Sequence, residues 1–192
     1  VDEVGRGSWA GPVMAAAALL NYKMPIDKRL NDSKKLTPKI RKEILDNLTK
    51  NSLFGIGEVS NDKIDELGIL KATFKAMEMA LSNLVYKCKI IEPCIILIDG
   101  TVRPDFHNKF NHEIKLVKKG DTLSPSIAAA SIYAKCARDA LMARIDRKFN
   151  NYGFLKNKGY GTKEHKEKLM LYGPTQIHRM SFKPMKDLKY QN

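Results

Sequence analysis

Five consecutive apolar residues, Cys94-Ile95-Ile96-Leu97-Ile98, stop abruptly at Asp99-Gly100. A short, unbroken run of this kind reads as a strand buried on both faces, with a carboxylate at its C-terminal end. An ionised carboxylate against a buried strand is costly unless something compensates the charge. The chain must therefore build a sheet covered on both sides and then use the end of one strand for a polar purpose. A second apolar run, residues 13–20, is made mostly of small side chains and reads as another strand. Residues 1–3 look like the end of a strand that pairs back on it. Neither run approaches the roughly 20 apolar residues that a membrane-spanning helix needs.

The remaining segments alternate between strand and helix. Thr37-Pro38 supplies an N-cap and a first-turn proline for a helix reaching about residue 49. Residues 52–59 alternate and read as a strand. From 61 to 85 the series Ile64, Leu67, Leu70, Phe74, Met77, Leu81 and Leu84 has helical spacing, interrupted by Gly68. Residues 113–117 alternate as a strand, and Lys119-Gly120-Asp121 reads as a turn. Ser124-Pro125 caps a long helix over 126–149 with alanine-rich, closely packable faces. Residues 159–184 hold one short helix near 163–171 in otherwise irregular chain. This order predicts an α/β architecture around a mixed sheet. Residues 1–155 form the main domain, and 156–192 form a basic helical and irregular part packed on it.

The 192 residues carry a formal charge of +13. Clustered lysine and arginine displace the counterions of a polyanion, so nucleic acid is the sharper reading, although acidic surfaces in general attract the same charge. Residues 156–192 hold nine Lys/Arg against three Asp/Glu. Cys88, Cys94 and Cys136 are scattered and odd in number, which makes neither a disulfide framework nor a zinc site and suits a reducing cytoplasm. The first residue is Val1 rather than Met, so further residues are expected upstream.

Hydrolysing a phosphodiester without a covalent intermediate needs an activated water and a way to hold charge on the leaving oxygen. Two Mg²⁺ ions roughly 4 Å apart do both, and Mg²⁺ prefers oxygen ligands. Asp2 and Glu3 at the end of the first strand, Asp99 after the apolar run, and Asp121 ahead of the long helix are suitably placed. Taken singly, each is more often a loop or cap residue. Adjacent strand residues face opposite ways, so Asp2 and Glu3 converge only if the backbone bends at once, as Gly5-Arg6-Gly7 allows.

The motifs sharpen this. Asp2-Glu3-Val4-Gly5-Arg6-Gly7-Ser8-Trp9-Ala10-Gly11-Pro12-Val13 resembles the first signature of the ribonuclease HII family. Asp32-Ser33-Lys34-Lys35-Leu36, Leu97-Ile98-Asp99-Gly100, and Lys119-Gly120-Asp121 followed by Ser124-Pro125-Ser126-Ile127-Ala128-Ala129-Ala130-Ser131-Ile132 are similar to the next three, with Arg138-Asp139 continuing the last. Gly159-Tyr160-Gly161-Thr162, His165, Tyr172-Gly173-Pro174 and His178-Arg179-Met180-Ser181-Phe182 resemble its final motifs. The order is preserved from residue 2 to residue 184.

The resemblance implies a ribonuclease H-like mixed sheet flanked by helices, with a small helical C-terminal extension. It implies that Asp2, Glu3, Asp99 and Asp121 are catalytic and bind Mg²⁺ or Mn²⁺. The implied partners are RNA–DNA hybrid and duplex DNA containing ribonucleotides, cut 5′ of a ribonucleotide to leave 5′-phosphate and 3′-hydroxyl ends. No membrane and no obligate protein partner is implied. Asp121, where ribonuclease HIII proteins usually carry Glu, favours HII, as does the short chain. By the same resemblance Gly5, Arg6 and Gly7 read the 2′-hydroxyl, and Tyr160 packs on the neighbouring sugar, a half-buried core tyrosine being the alternative. Ser33 and Lys34 would hold a phosphate, an ordinary solvated lysine being the alternative. His178 and Arg179 are either structural or in touch with the nucleic-acid backbone. Residues 101–118 are long and polar against the family pattern, and 185–192 show no clear motif for docking a sliding clamp.

Three other readings are weaker. A dinucleotide-binding loop would need G-x-G-x-x-G, whereas Gly5, Gly7 and Gly11 are spaced G-x-G-x-x-x-G and Pro12 sits where a helix should run. A non-catalytic basic nucleic-acid-binding module leaves the carboxylates unexplained. A DNA-cutting nuclease of the same fold would act on DNA lacking ribonucleotides.

Overall fold

A computed structural model of the chain describes residues 1–88, 94–106, 109–110 and 112–188. Strand β1 (Asp2–Val4) and strand β2 (Val13–Leu19) are antiparallel, with Asp2 opposite Ala16. Helix α1 (Pro38–Leu48) follows, capped by the Thr37 hydroxyl, which accepts from the Ile40 amide at 3.3 Å. Strand β3 (Leu53–Val59) pairs antiparallel with the whole of β2.

Helices α2 (Asn61–Leu67) and α3 (Ile69–Cys88) realise the periodic segment 61–85, broken where expected because Gly68 adopts φ +78°. Strands β4 (Ile95–Asp99) and β5 (Glu113–Val117) are parallel. The expected turn at 119–121 is a short helix, α4 (Gly120–Leu123), entered through Lys119 in a left-handed conformation. The long helix is α5 (Pro125–Asp146), with Pro125 at its first turn and no hydrogen bond from the Ser124 side chain.

The C-terminal part adds α6 (Phe154–Asn157), α7 (Lys163–Tyr172) and α8 (Met185–Leu188). Of the long segment 101–118, residues 107, 108 and 111 lie outside the described residues, as do 189–192 of the tail. Among the described residues no helix is long and apolar enough to cross a membrane.

The sheet order is β3-β2-β1 on one side and β4-β5 on the other. Val1 joins them: its nitrogen donates to the Leu97 carbonyl at 2.7 Å, and its own carbonyl accepts from the Asp99 amide at 3.0 Å. β2 is buried on both faces although its neighbours run antiparallel. Val13, Ala15 and Ala17 pack with Ala72, Ala76, Ala80 and Leu84 of α3. Ala16 packs with Ala130 and Ala134 of α5. Small side chains let both helices close on the sheet. β3 touches α3 backbone to backbone, since a Cβ at Gly55 or Gly57 would run into the carbonyl oxygens of Ala80 or Ala76. The three cysteines are free thiols.

Candidate active site

The Val1 link sets β1 beside β4, so the strand ends carrying Asp2 and Asp99 come together. Asp99 Oδ1 accepts from the Gly120 amide at 2.7 Å, which draws the start of α4, and with it Asp121, to the same place. Asp2 is 6% exposed. Burial, with Glu3 and then Asp99 adding repulsion, pushes its carboxyl up to about 7, against hydrogen bonds from Ser131 and from the Glu3 amide. Asp121 is also raised, first by burial and then by Asp32 and Asp99, with Lys34 opposing. Negative charge thus crowds at one end of the sheet. Among the described residues, however, no group of three or more His, Cys, Asp or Glu side chains is arranged to hold a metal ion as it stands.

Asp2 and Glu3 line a cleft of about 440 Å³ together with Val4, Gly5, Arg6, Gly7, Ser33, Lys34, Ser131, Lys135 and Tyr160. Every substrate-facing residue expected from the motifs is on this wall. Asp99 and Asp121 do not line this cleft. The chain leaves β1 at Gly5, whose φ of +87° suits glycine and whose missing Cβ leaves room for the Arg138 guanidinium. Arg6 is half exposed and pairs with Glu3 at 3.2 Å.

Ser33 is buried, and its hydroxyl lies 2.9 Å from that of Ser131. Ser131 lines the same cleft as Asp2, so the Ser33 hydroxyl is engaged at the cleft wall rather than standing free. Lys34 is exposed. Its segment is a single 3₁₀ turn, Ser33–Lys35, pinned by the buried Arg41, which donates to the carbonyls of Ser33 (2.8 Å) and Leu36 (2.7 Å).

Two buried arginines to which sequence reasoning gave no definite role hold the glycine loop. Arg138, fully buried on α5, donates to the carbonyls of Pro12, Ala10 and Lys158. Arg179 donates to Gly11 (2.9 Å), Arg6 (2.9 Å) and Pro12 (2.8 Å). Burial, then the charge of Arg138, lowers Arg179 to about 9. Residues 5–12 have few ladder partners, and buried carbonyls need donors, which the guanidinium forks supply. Arg179 is therefore structural. A signal for Arg138 was available: Ile127, Ser131, Ala134, Arg138 and Met142 recur at helical spacing on the buried stripe of α5. Tyr160 is half-buried and bridges Ser8, while Gly159 accepts from the Trp9 amide at 2.7 Å.

The class defined by this sheet order, with acidic strand ends at its centre, is that of ribonuclease H-like enzymes. The ribonuclease H2 structure from Pyrococcus horikoshii OT3 matches with a TM-score of 0.79 and 25% identity, covering 99% of this chain and 95% of that one. A family model described as Ribonuclease HII matches residues 1–185. Proteins named ribonuclease HII are similar throughout: that of Pelagibacter ubique (strain HTCC1062) is 46% identical over 189 residues, covering 98% of this chain and 96% of the relative. That of Caldicellulosiruptor bescii is 47% identical over 183 residues, covering 95% and 84%. The chain belongs to the ribonuclease HII family, and is a hydrolase, an endonuclease acting on RNA held in hybrid with DNA.

Proposed function

We propose that this chain cuts the RNA strand of hybrids and also cuts 5′ of single ribonucleotides embedded in duplex DNA, leaving 5′-phosphate and 3′-hydroxyl ends. The observation that carries the reading is the shared cleft, in which Asp2 and Glu3 lie alongside Gly5, Arg6, Gly7, Ser33, Lys34 and Tyr160. Asp2, Glu3, Asp99 and Asp121 would hold Mg²⁺ or Mn²⁺. The fit is one of chemistry: all four donors are carboxylate oxygens, which suit hard cations, and burial, with neighbouring carboxylates adding repulsion, raises Asp2 and Asp121. Bound there as a pair, such ions supply an activated water and hold charge on the leaving oxygen.

The chain's own side chains do the rest. Gly5 and Gly7 bring backbone amides close to a ribose, where the 2′-hydroxyl is the group that tells RNA from DNA. Arg6, paired with Glu3, sets a positive charge beside the acidic cluster. Tyr160 presents a flat ring to the sugar next to the cut. Lys34 and the basic segment from 156 onward face backbone phosphates, with 1–155 as the catalytic part.

The test is cleavage of duplex DNA carrying one ribonucleotide, with product ends mapped. Cutting 5′ of the ribonucleotide in Mg²⁺ or Mn²⁺, abolished by EDTA, is expected. Binding without cutting in either metal, or cutting of DNA that lacks a ribonucleotide, overturns the proposal. Affinity for duplex should also fall with salt, at a log–log slope of roughly −0.9 per phosphate neutralised.

A further inference from the structure

We infer that His165 and His178 are positioning residues: a directed pair of neutral imidazoles that fixes the backbone of Tyr160 at the mouth of the cleft. The inference rests on the reading of Tyr160 as the residue that packs on the substrate sugar.

Both rings are buried, His165 at 0% exposure and His178 at 1%. Their Nε2 atoms are 3.1 Å apart, so one must donate and the other accept. The chain decides which. The Thr175 amide donates to His178 Nδ1 at 2.9 Å, with the Thr175 hydroxyl 2.9 Å from the same nitrogen. An amide can only donate, so His178 Nδ1 is an acceptor and its proton sits on Nε2. That proton points at His165 Nε2, which must then accept, leaving the His165 proton on Nδ1. His165 Nδ1 lies 2.9 Å from the Tyr160 carbonyl. One proton arrangement satisfies all of these contacts, and it runs in one direction: Thr175 to His178 to His165 to Tyr160.

The Tyr160 carbonyl also accepts from the Thr162 amide at 2.8 Å, and the Tyr160 amide donates to Asn157 at 2.9 Å. The root of the ring is thus gripped on both of its peptide groups. The same relay joins two flanks of the glycine loop, since His178 bridges Ala10 and Tyr160 bridges Ser8. Two apolar side chains would fill the space but leave the carbonyl with one donor fewer.

The surroundings keep the pair neutral. Trp9 (5.4 Å between ring centres), Phe154 (5.3 Å) and Tyr152 (6.4 Å) face His165, and Tyr152 (5.2 Å) and Phe154 (5.8 Å) face His178. Tyr152 is the titratable ring in this set, and its hydroxyl donates to the Gly173 carbonyl at 2.6 Å. Arg179, next in the chain to His178, turns to the loop carbonyls. Burial lowers both imidazoles, His178 to about 4 with His165 contributing.

The direct test is imidazole ¹H–¹⁵N NMR of the wild-type protein at pH 7, in which four histidines are to be assigned. Opposite tautomers are expected, Nδ1–H for His165 and Nε2–H for His178. Matching tautomers, or a protonated ring, overturn the relay. A second test compares His165→Asn with His165→Leu, because the asparagine amide nitrogen stands near the position of Nδ1. The rate at a single embedded ribonucleotide, relative to a long hybrid, should fall about fivefold to tenfold in the leucine variant, as for one lost hydrogen bond. It should be largely rescued by asparagine. Equal behaviour of the two variants overturns the relay, and if neither folds the NMR result decides. Tyr160→Ala is the control: if it leaves the same ratio unchanged, the reading of Tyr160 has failed, and the tautomer assignment is judged separately.

Discussion

Between β2 and its two helices the protein uses alanine and glycine, and the elements approach until backbones touch. Around residues 5–12 it does the reverse, burying two arginines and tying the loop to a pair of buried histidines. The difference follows from where backbone groups find partners. Strand and helix groups bond within their own ladders, so the sheet half needs only apolar surfaces that fit, and its stability is a matter of volume. The glycine loop has few ladder partners, so its carbonyls are satisfied by side chains brought from α5 and from the C-terminal segment. Its stability is a matter of directed hydrogen bonds. The carboxylates sit where the two regimes meet.

That contrast can be broken at the junction first. Asp99→Asn keeps an acceptor for the Gly120 amide and removes a charge, so the fold should persist while cleavage falls by about a thousandfold or more, on the order of 4 kcal/mol. Wild-type cutting rates with an unchanged melting curve would remove Asp99 from the chemistry.

Within the sheet half, Gly57→Val places a side chain against the backbone of α3. It should cost about 3 kcal/mol in denaturant unfolding. A loss below roughly 0.5 kcal/mol, typical of surface sites, would mean that contact is not tight. In the loop half, Arg179→Met keeps much of the volume but strips donors from the carbonyls of Arg6, Gly11 and Pro12. A loss of about 2 kcal/mol is expected, with greater amide exchange at residues 5–12 than in β2. Uniform exchange across both regions would erase the distinction.

The last effect is electrostatic. Asp2 is pushed up to about 7 in the folded protein, from an ordinary value of 3.8. The folded state therefore holds the proton where the unfolded chain has released it. The contribution is fully present below about pH 4 and is lost as pH rises through 7. In EDTA, melting temperature should decline over that window in wild type and less so in Asp2→Asn. Added Mn²⁺ should restore the wild type alone. Parallel pH profiles for the two proteins would show that Asp2 is not the group responsible.

Much of the fold was legible because its signals are local. The apolar run ending at Asp99, the Thr37 cap, the break at Gly68 and the small residues of 13–20 each act within a few residues of themselves. Predicted elements therefore differ from those observed chiefly at their ends and in short helices such as α4, where a few residues carry little periodicity. The candidate residues Asp2, Glu3, Gly5, Arg6, Gly7, Ser33, Lys34 and Tyr160 were legible as motifs. Their meeting in one cleft was not, because Ser33 and Tyr160 arrive from segments far apart in the chain.

Sequence alone thus determined which residues carry charge, which segments must be buried and which glycines permit a turn, since these are properties of side chains and short-range backbone sterics. Only the tertiary structure decided that Arg138 and Arg179 serve the carbonyls of one loop, that Ser33 meets Ser131 across the cleft wall, and that two histidines share a proton order ending on Tyr160. Those are pairings between donors and acceptors distant in the chain. A hydrogen bond depends on the position of both partners, and residue identity specifies only what each could offer.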